Sequence, residues 1–301
     1  MTAAVSAGAA LLIAALGELV AERAGVINLG VEGMMLVGAA TGFIAMDASG
    51  SAVQGALAAI GIGALLALVH AFFAVTVRAD QILSGLALTI AGTGLAAIIG
   101  RSVVGVPAES TFQEHAVPLL SSIPKIGEIF FEHQPLVYVG YVAAPVVWFV
   151  LTRTRLGLHL RSVGENPAAA DAMGVPVSAY RYGAVVFGGA LAGLAGATLS
   201  LAESPGWSEG ITAGRGWIAV ALVIFAMWGP LRLLAAAFLF GTLDVLAFRA
   251  QIIGVDIPAT ILGMIPYVGT IVVLIAVTVF GLRRRLGAPD ALGLPYVRGE
   301  R

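Results

Sequence analysis

The chain alternates between long apolar stretches and short polar segments over its whole length. A bilayer core about 30 Å thick needs roughly 20 apolar residues per helix, and runs of about that length, rich in Ala, Leu, Gly and Val, recur here. A transmembrane β-barrel would instead show alternating segments of about ten residues. The pattern predicts an all-α, polytopic membrane helix bundle of about 8–10 apolar segments. Nine can be outlined: 4–20, 29–46, 52–77, 82–100, 135–151, 181–202, 214–229, 231–250 and 258–282.

Two of these stretches begin differently from the others. Residues 29–46 and 214–229 are short, and each follows a polar run punctuated by glycine. We name these runs the first Gly-rich segment (25–33) and the second Gly-rich segment (206–216). Such text is typical of broken or re-entrant half-helices, so we expect that either stretch can stop short of a full crossing. The side on which Met1 lies stays open, because one re-entrant segment would reverse it.

A weak internal symmetry accompanies these segments. The units 25–77 and 206–250 share one order: a Gly-rich polar run, a short apolar segment and a long helix rich in Ala, Leu and Gly. Inverted repeats of this kind are common in transporters, where the substrate path lies at the interface of the two units. The sequence therefore predicts an inverted repeat.

Arginine positions predict which loops are cytoplasmic, because cytoplasmic loops retain Lys and Arg. Residues 153–181 contain four arginines and 283–301 contain five, whereas 102–134 contains four glutamates and one lysine. The first two segments are predicted to be cytoplasmic and the third extracytoplasmic. The chain is thus one transmembrane domain at 1–282, with a cytoplasmic loop at 153–180, followed by a cytoplasmic tail at 283–301.

Composition agrees with this class and excludes others. Hydrophobic residues make up 59% of the 301 residues, charged residues 11%, and cysteine is absent. No water-soluble domain has that composition, and without cysteine no disulfide, zinc finger or thiol nucleophile can form. The net charge of −1 argues against nucleic acid as a partner. The four histidines show neither zinc spacing nor a catalytic partner, so we expect no catalytic residue, no metal and no cofactor.

One cytoplasmic segment carries helix-capping signals. Asn166 is a good N-cap, Pro167 suits the first helical position, and Gly174 suits a left-handed stop. Together they predict a helix of about seven residues, 167–173, which is too short to be stable alone. Two interpretations stay open on these residues: a helix held by a partner, or an ordinary connecting loop that is well capped.

Three separated segments together resemble a known family. They are Gly17–Met35 (GELVAERAGVINLGVEGMM), Arg161–Gly174 (RSVGENPAAADAMG) and Glu209–Ala219 (EGITAGRGWIA). In order and spacing they are similar to ABC importer permeases of the ribose and branched-chain amino-acid superfamily, and within it to the nucleoside and simple-sugar branch. The resemblance covers nearly the whole chain and implies a multi-pass protein of the cell membrane.

The resemblance also implies partners and a coupling site. A separate cytoplasmic ABC ATPase would hydrolyse ATP, a second permease, by this branch a paralogue, would complete the pore, and an extracytoplasmic lipoprotein would bind the solute. The sequence agrees on one point: a P-loop needs a Gly-Lys-Ser or Gly-Lys-Thr ending, and the only lysine, Lys125, follows a proline. The short helix would be the coupling helix that contacts the ATPase. Its coupling residues would be Gly164, Glu165, Asn166, Pro167, Ala170, Asp171, Met173 and Gly174.

Charged and polar groups at bilayer depth need an explanation, because burying them in hydrocarbon is costly. Glu18 lies about one helical turn from Glu22 and slightly more from Arg23, so an internal ion pair is feasible, and this is the favoured interpretation for Glu22 and Arg23. Glu32, Asp244 and Arg249 raise the same question.

Four residues of the Gly-rich segments are candidates for the substrate path. Asn28 and Glu32 lie in the first segment, Arg215 lies in the second, and Trp217 comes directly after it. An exposed helix N-terminus or an aromatic face suits a polar solute. The competing interpretation for the first pair is hydrogen bonding of the broken backbone. For Trp217, as for Trp148, Trp207 and Trp228, it is a membrane-interface anchor.

Three other functions stay open. A branched-chain amino-acid permease is the nearest, because it belongs to the same superfamily. A secondary transporter driven by an ion gradient would also suit inverted repeats and broken helices. A membrane scaffold that transports nothing is the third. The sequence does not identify the solute.

Overall fold

The computed structural model describes residues 2–124, 126–253, 258, 261, 264–265, 267–269, 271–272, 275 and 287–298. These residues form a helical bundle with one two-stranded antiparallel sheet. Most of the predicted stretch 258–282, and the arginines at 283–285, lie outside the described residues. The helices are α1 (Thr2–Arg23), α2 (Val31–Ser49), α3 (Ala52–Ala71), α4 (Gln81–Gly100), α5 (Ile126–Phe130), α6 (Pro135–Arg153), α7 (Arg155–Glu165), α8 (Pro167–Ala172), α9 (Val177–Thr198), α10 (Arg215–Phe225) and α11 (Pro230–Ile252), and the strands are β1 (His115–Ala116) and β2 (Glu132–His133).

Seven helices of the described part are long and apolar enough to cross a membrane: α1, α2, α3, α4, α6, α9 and α11. Two of them continue as single π-helical turns, α3 through Phe72–Val77 and α9 through Leu199–Glu203. The prediction of an all-α polytopic bundle is confirmed.

The two unusual stretches have different outcomes. Helix α10 has 11 residues, about 16 Å at 1.5 Å per residue, so it is a half-helix, as predicted. Helix α2 has 19 residues, about 28 Å, which is enough to span. Of the two stretches that could stop short of a crossing, 29–46 is therefore long enough to span, because its helix continues three residues past that stretch to Ser49.

Helices α1 and α9 form the centre of the bundle. In α1 89% of the apolar window is buried and in α9 78%, whereas in α4 only 22% is buried, so α4 forms part of the outer surface. The centre is packed through small residues: a Cβ on Gly38 of α2 would lie 2.6 Å from the Gly193 Cα of α9. The glycines of α9 thus bring helices of the same chain into close contact.

Hydrogen bonds define what lies at each end of the bundle. At one end Thr2 Oγ1 donates to the Glu128 carbonyl (3.4 Å) and Ser6 Oγ lies 3.2 Å from His133 Nδ1, so α1 begins beside the segment 102–134. Burial lowers the pKa of the His133 imidazole. At the other end the Ala291 amide donates to the Gly164 carbonyl (2.9 Å), which joins the C-terminal residues to α7.

The two predicted repeat units run in opposite directions. The turn between α2 and α3 lies at the 102–134 end, where the Ala52 amide donates to Ser110 Oγ (3.3 Å). The turn between α10 and α11 lies at the opposite end, where Arg23 Nη2 donates to the Trp228 carbonyl (2.8 Å). This antiparallel relation is the one expected of an inverted repeat.

The geometry predicts a labelling pattern for single cysteines in this cysteine-free chain. Ala3→Cys and Ser122→Cys are both exposed at the 102–134 end, which is predicted to be extracytoplasmic, so both should react with an impermeant maleimide from that side. Ser178→Cys, exposed beyond α8, should react only after permeabilisation. Labelling of all three from one side would contradict this arrangement.

Candidate functional sites at the Gly-rich segments and the short capped helix

The first Gly-rich segment leaves helical geometry, and side chains accept hydrogen bonds from its backbone amides. After α1 ends, Gly25 adopts a left-handed φ of +86° and reverses the chain. The Asn28 amide then donates to Glu18 Oε1 (2.9 Å), and the Asn28 side-chain oxygen accepts from the Gly30 amide (2.9 Å). Asn28 is fully buried. These bonds agree with hydrogen bonding of the broken backbone by Asn28, and its place in a substrate path stays a prediction.

Neighbouring helices bond to the amide and the carbonyl of Ile27 in this segment. Gln81 Oε1, at the start of α4, accepts from the Ile27 amide at 2.9 Å. The Ile27 carbonyl lies 3.0 Å from His70 Nε2 of α3. Water cannot reach such groups in hydrocarbon, so their bonding within the chain is what allows a non-helical backbone at this depth.

Glu32 joins the two Gly-rich segments. Its carboxylate accepts from Thr212 Oγ1 (2.5 Å) and from the amides of Gly214 (2.9 Å) and Gly216 (2.7 Å). These groups lead into the N-terminus of α10, whose first amides have no partner within the helix. Glu32 also lies in the first turn of α2. One buried carboxylate thus lies where the positive ends of two helix dipoles meet.

Arg215, between Gly214 and Gly216, lies in a charged cluster. Its Nη2 is 3.0 Å from Glu203 Oε1 and 3.0 Å from Asp244 Oδ2. The Asp244 side chain is 40% exposed, so the cluster reaches the surface of the chain. Sequence reasoning noted Asp244 but missed Glu203. Glu203 could have been found as a single carboxylate directly after the apolar stretch 181–202, at the point where the helix continues past its apolar residues.

The expected ion pair between Glu22 and Arg23 is not formed. Glu22 Oε2 accepts from the indole nitrogen of Trp228 (2.5 Å). Arg23 donates to two main-chain carbonyls, of Gly287 (2.7 Å) and Trp228 (2.8 Å). Adjacent positions on α1 point in different directions, and each side chain reaches a partner more than 200 residues away.

The tryptophans divide into two groups. Trp207 and Trp228 are buried within the chain, so their interpretation as membrane-interface anchors is wrong. Trp217 is 37% exposed, and Trp148 is half-buried. Trp217 and Arg215 are therefore the two substrate-path candidates whose side chains are exposed enough to contact a solute.

The short capped helix forms where it was predicted. Helix α8 covers Pro167–Ala172, the Asn166 side chain accepts from the Ala169 amide (2.9 Å), and Gly174 has a φ of +83°. The helix ends one residue before the predicted Met173, which is its C-cap. Sequence reasoning missed helix α7, which precedes it.

The predicted coupling residues face two ways. Glu165, Asn166, Met173 and Gly174 are exposed, Met173 at 84%. Pro167 and Asp171 are half-buried. Gly164 and Ala170 are buried; Ala170 packs with Val163, Val175 and Val177. The exposed set can contact another protein, whereas the buried pair fixes α7 and α8 to the bundle.

Comparison with known proteins identifies related chains over nearly the whole length. The family model described as "Branched-chain amino acid transport system / permease component" matches residues 1–277. No solved structure matches.

Three curated relatives are similar end to end. A putative glucose ABC transporter permease, TsgC13 of Haloferax volcanii, is 44% identical over 99% of this chain and 97% of its own. The nucleoside ABC transporter permease NupC of Lactococcus lactis is 38% identical, over 96% and 94%. The guanosine ABC transporter permease NupQ of Bacillus subtilis is 35% identical, over 97% and 94%.

Removing the Glu32 charge should loosen α10. Glu32→Gln keeps the size but turns amide hydrogens toward backbone donors, so we expect a loss of about 2 kcal/mol in stability, the cost of unsatisfied buried donors. Thermal unfolding of the purified chain in detergent measures it. Glu209→Gln, an exposed carboxylate of the same segment, is the matched control. Equal melting temperatures for the two variants would contradict the capping role.

Adding one methyl group at the same junction should have a similar effect. A Cβ on Gly216 would lie 2.6 Å from the Glu32 nitrogen, whereas a Cβ on Gly183 would meet nothing within 4 Å. Gly216→Ala should therefore lower the melting temperature clearly and Gly183→Ala should not, since overpacking typically costs about 1–3 kcal/mol. A harmless Gly216→Ala would show that α2 and α10 are not in close contact.

Proposed function

Since the chain belongs to the family of branched-chain amino acid transport system permease components, we propose that it is the membrane-spanning subunit of an ABC importer for a nucleoside or a simple sugar. The observation that carries the solute class is end-to-end similarity to permeases named for glucose, guanosine and nucleosides. An amino-acid solute, suggested by the family description, has no such support among these three relatives.

The solute would pass the face that carries Arg215 and Trp217. Hydroxyl groups of a sugar or ribose can accept from the guanidinium and donate to the carboxylates beside it, and an aromatic face suits a sugar ring or a base. Asp244 is the most exposed acid of the charged cluster. Glu32 and Asn28 would not contact the solute; they would hold the non-helical backbone in place by hydrogen bonds.

ATP would be hydrolysed by a partner that docks on α8. The supporting feature is a large exposed apolar side chain, Met173, on a small helix whose other face is anchored. A few residues near the centre of a protein interface contribute most of the binding energy, and methionine is enriched in such interfaces. The docking end, with α7, α8 and the tail 287–298, would then be cytoplasmic.

Two further partners complete the proposal. The outer face of α4 is apolar, with Ile90 74% and Ile98 75% exposed, so it needs lipid or another permease chain. Haloferax volcanii has a second glucose permease, TsgB13, that is 25% identical to this chain, which supports a paralogue as the second subunit. An extracytoplasmic binding lipoprotein would deliver the solute.

Proteoliposomes test this function. We expect the isolated chain to hydrolyse no ATP, and the complex with its ATPase, second permease and binding protein to take up guanosine or D-glucose only with ATP. Uptake by the chain alone under an ion gradient would instead favour a secondary transporter. Uptake of leucine, with neither guanosine nor D-glucose accepted, would favour the amino-acid branch.

Met173 allows a sharper test of docking. Met173→Asp should weaken binding of the ATPase subunit at least tenfold, because it places a charge in an apolar contact; tenfold is about 1.4 kcal/mol. Leu119→Asp is the matched control, since Leu119 is 87% exposed in the 102–134 segment. Co-purification of the ATPase at graded concentrations measures the effect. Undiminished binding by Met173→Asp would rule out docking on this side of α8.

A further inference from the structure

The C-terminal residues 287–298, here named the strap, lie across the base of the bundle and contact three other elements. They bond to α7 through Ala291 and Gly164, to the turn after α1, and to the start of α9. The Ala291 side chain is buried. Since the strap has no strand or α-helix in its described residues, these contacts hold it in place.

The strap is attached to α8. Tyr296 packs against the small core formed by Val163, Ala170, Val175 and Val177, which fixes α8 to α7 and α9. Arg298 forms an ion pair with Asp171 (3.0 Å). That pair contributes little, because the Arg298 side chain is 82% exposed. The apolar contact of Tyr296 is the firmer link.

The same strap is attached to the first Gly-rich segment. The Gly293 amide donates to the Gly25 carbonyl (3.1 Å). Gly293 has a φ of +77°, and a Cβ on it would lie 3.2 Å from Ile27 Cδ1. At the near end of the strap, the Gly287 carbonyl accepts from Arg23 Nη1 (2.7 Å). The strap therefore meets the chain where α1 ends and the broken backbone begins.

A buried arginine fixes the middle of the strap. Arg181, at the start of α9, is 1% exposed, and its Nη1 donates to the Leu294 carbonyl (2.9 Å). Its Nε and Nη2 have no hydrogen-bond partner among the described residues. Because an unpaired buried cation is costly, loss of the strap would remove the one hydrogen bond that this guanidinium makes in the described part.

We propose that the strap transmits movement of α8 to the first Gly-rich segment, so that the C-terminal residues are part of the coupling machinery between the ATPase and the substrate path. The inference rests on the proposed function. Displacement of α8 reaches Tyr296, then Gly293 and Gly25, and from the segment that follows Gly25 it reaches Glu32 and the N-terminus of α10. Gly25 and Gly293 are the positioning residues of this route.

Truncation tests the strap in the complete transport complex. A chain that ends at Gly287 should still bind the ATPase subunit and sustain ATP hydrolysis within about twofold, because the exposed face of α8 is unaltered. Uptake of guanosine and of D-glucose per ATP hydrolysed should fall at least tenfold. Unchanged uptake per ATP would overturn the proposal. If the unaltered complex shows no ATP-driven uptake, the proposed function itself has failed.

A pair of alanine variants covers the case in which the truncated chain does not assemble. Gly293→Ala and Gly50→Ala both place a side chain at a positive φ, +77° and +67°, but only the first meets a neighbour, Ile27; nothing lies within 4 Å at Gly50. We expect Gly293→Ala to lower uptake per ATP at least threefold and Gly50→Ala to leave it unchanged. Equal ratios in the two variants would overturn the route through Gly25.

A cross-link provides a test with the opposite sign. The double variant with cysteines at Asp171 and Arg298 should show the same uptake before and after the two are joined by a short bifunctional thiol reagent, because the strap and α8 move together. Abolished uptake in the joined chain, with each single cysteine treated alike as control, would show that the two must separate and would overturn the proposal.

Docking of the strap can also be measured without transport. Ala291 is 7% exposed and Leu294 is 56% exposed. An impermeant maleimide added to open membranes should therefore react at least ten times more slowly with Ala291→Cys than with Leu294→Cys. Equal rates would show that the strap does not lie against the bundle, whatever the solute.

Discussion

The contact of the Glu32 carboxylate with the start of α10 is the interaction on which the rest of the bundle depends. A membrane segment can leave the helical conformation only if every backbone donor finds a partner inside the protein. The second Gly-rich segment exposes amides in the middle of the bundle, and Glu32 accepts from two of them and from Thr212. Without this carboxylate, the half-helix α10 would have buried donors with nothing to receive them.

The same requirement explains why α1 carries acidic residues at bilayer depth. Glu18 receives the Asn28 amide, and Glu22 receives the Trp228 indole. Each therefore serves a different point at which the chain leaves helical geometry: the break before α2 and the turn after α10. A continuous helix in the centre of the bundle is well suited to this, because its own backbone groups are bonded within the helix and its side chains are free to bond to other segments.

The sequence predicts structural features that depend on neighbouring residues, and it misses those that depend on partners far away along the chain. The ends of α8 follow from Asn166, Pro167 and Gly174, all within nine residues, and the structure reproduces them within one residue. The partner of Glu22 is 206 residues away. Nothing in the residues around Glu22 distinguishes that arrangement from an ion pair with Arg23. Helix α2 was underestimated for a related reason, since Asp47 and Ser49 interrupt the apolar text but not the helix.

Movement in this bundle is constrained by what must stay bonded. Three hydrogen bonds join Glu32 to the beginning of α10, and hydrocarbon offers no water to replace them. The first turn of α2 and the start of α10 therefore move as one unit, unless water enters as they part. The other end of α10 is strained and also bonded: Met227 and Trp228 both have left-handed φ values, +49° and +51°, which non-glycine residues adopt at a cost, and Trp228 is joined to Glu22 and Arg23. On the proposed route, a displacement arriving through the turn at Gly25 would thus shift the α2 and α10 unit as a whole, while the far end of α10 stays joined to α1 through Trp228, Glu22 and Arg23.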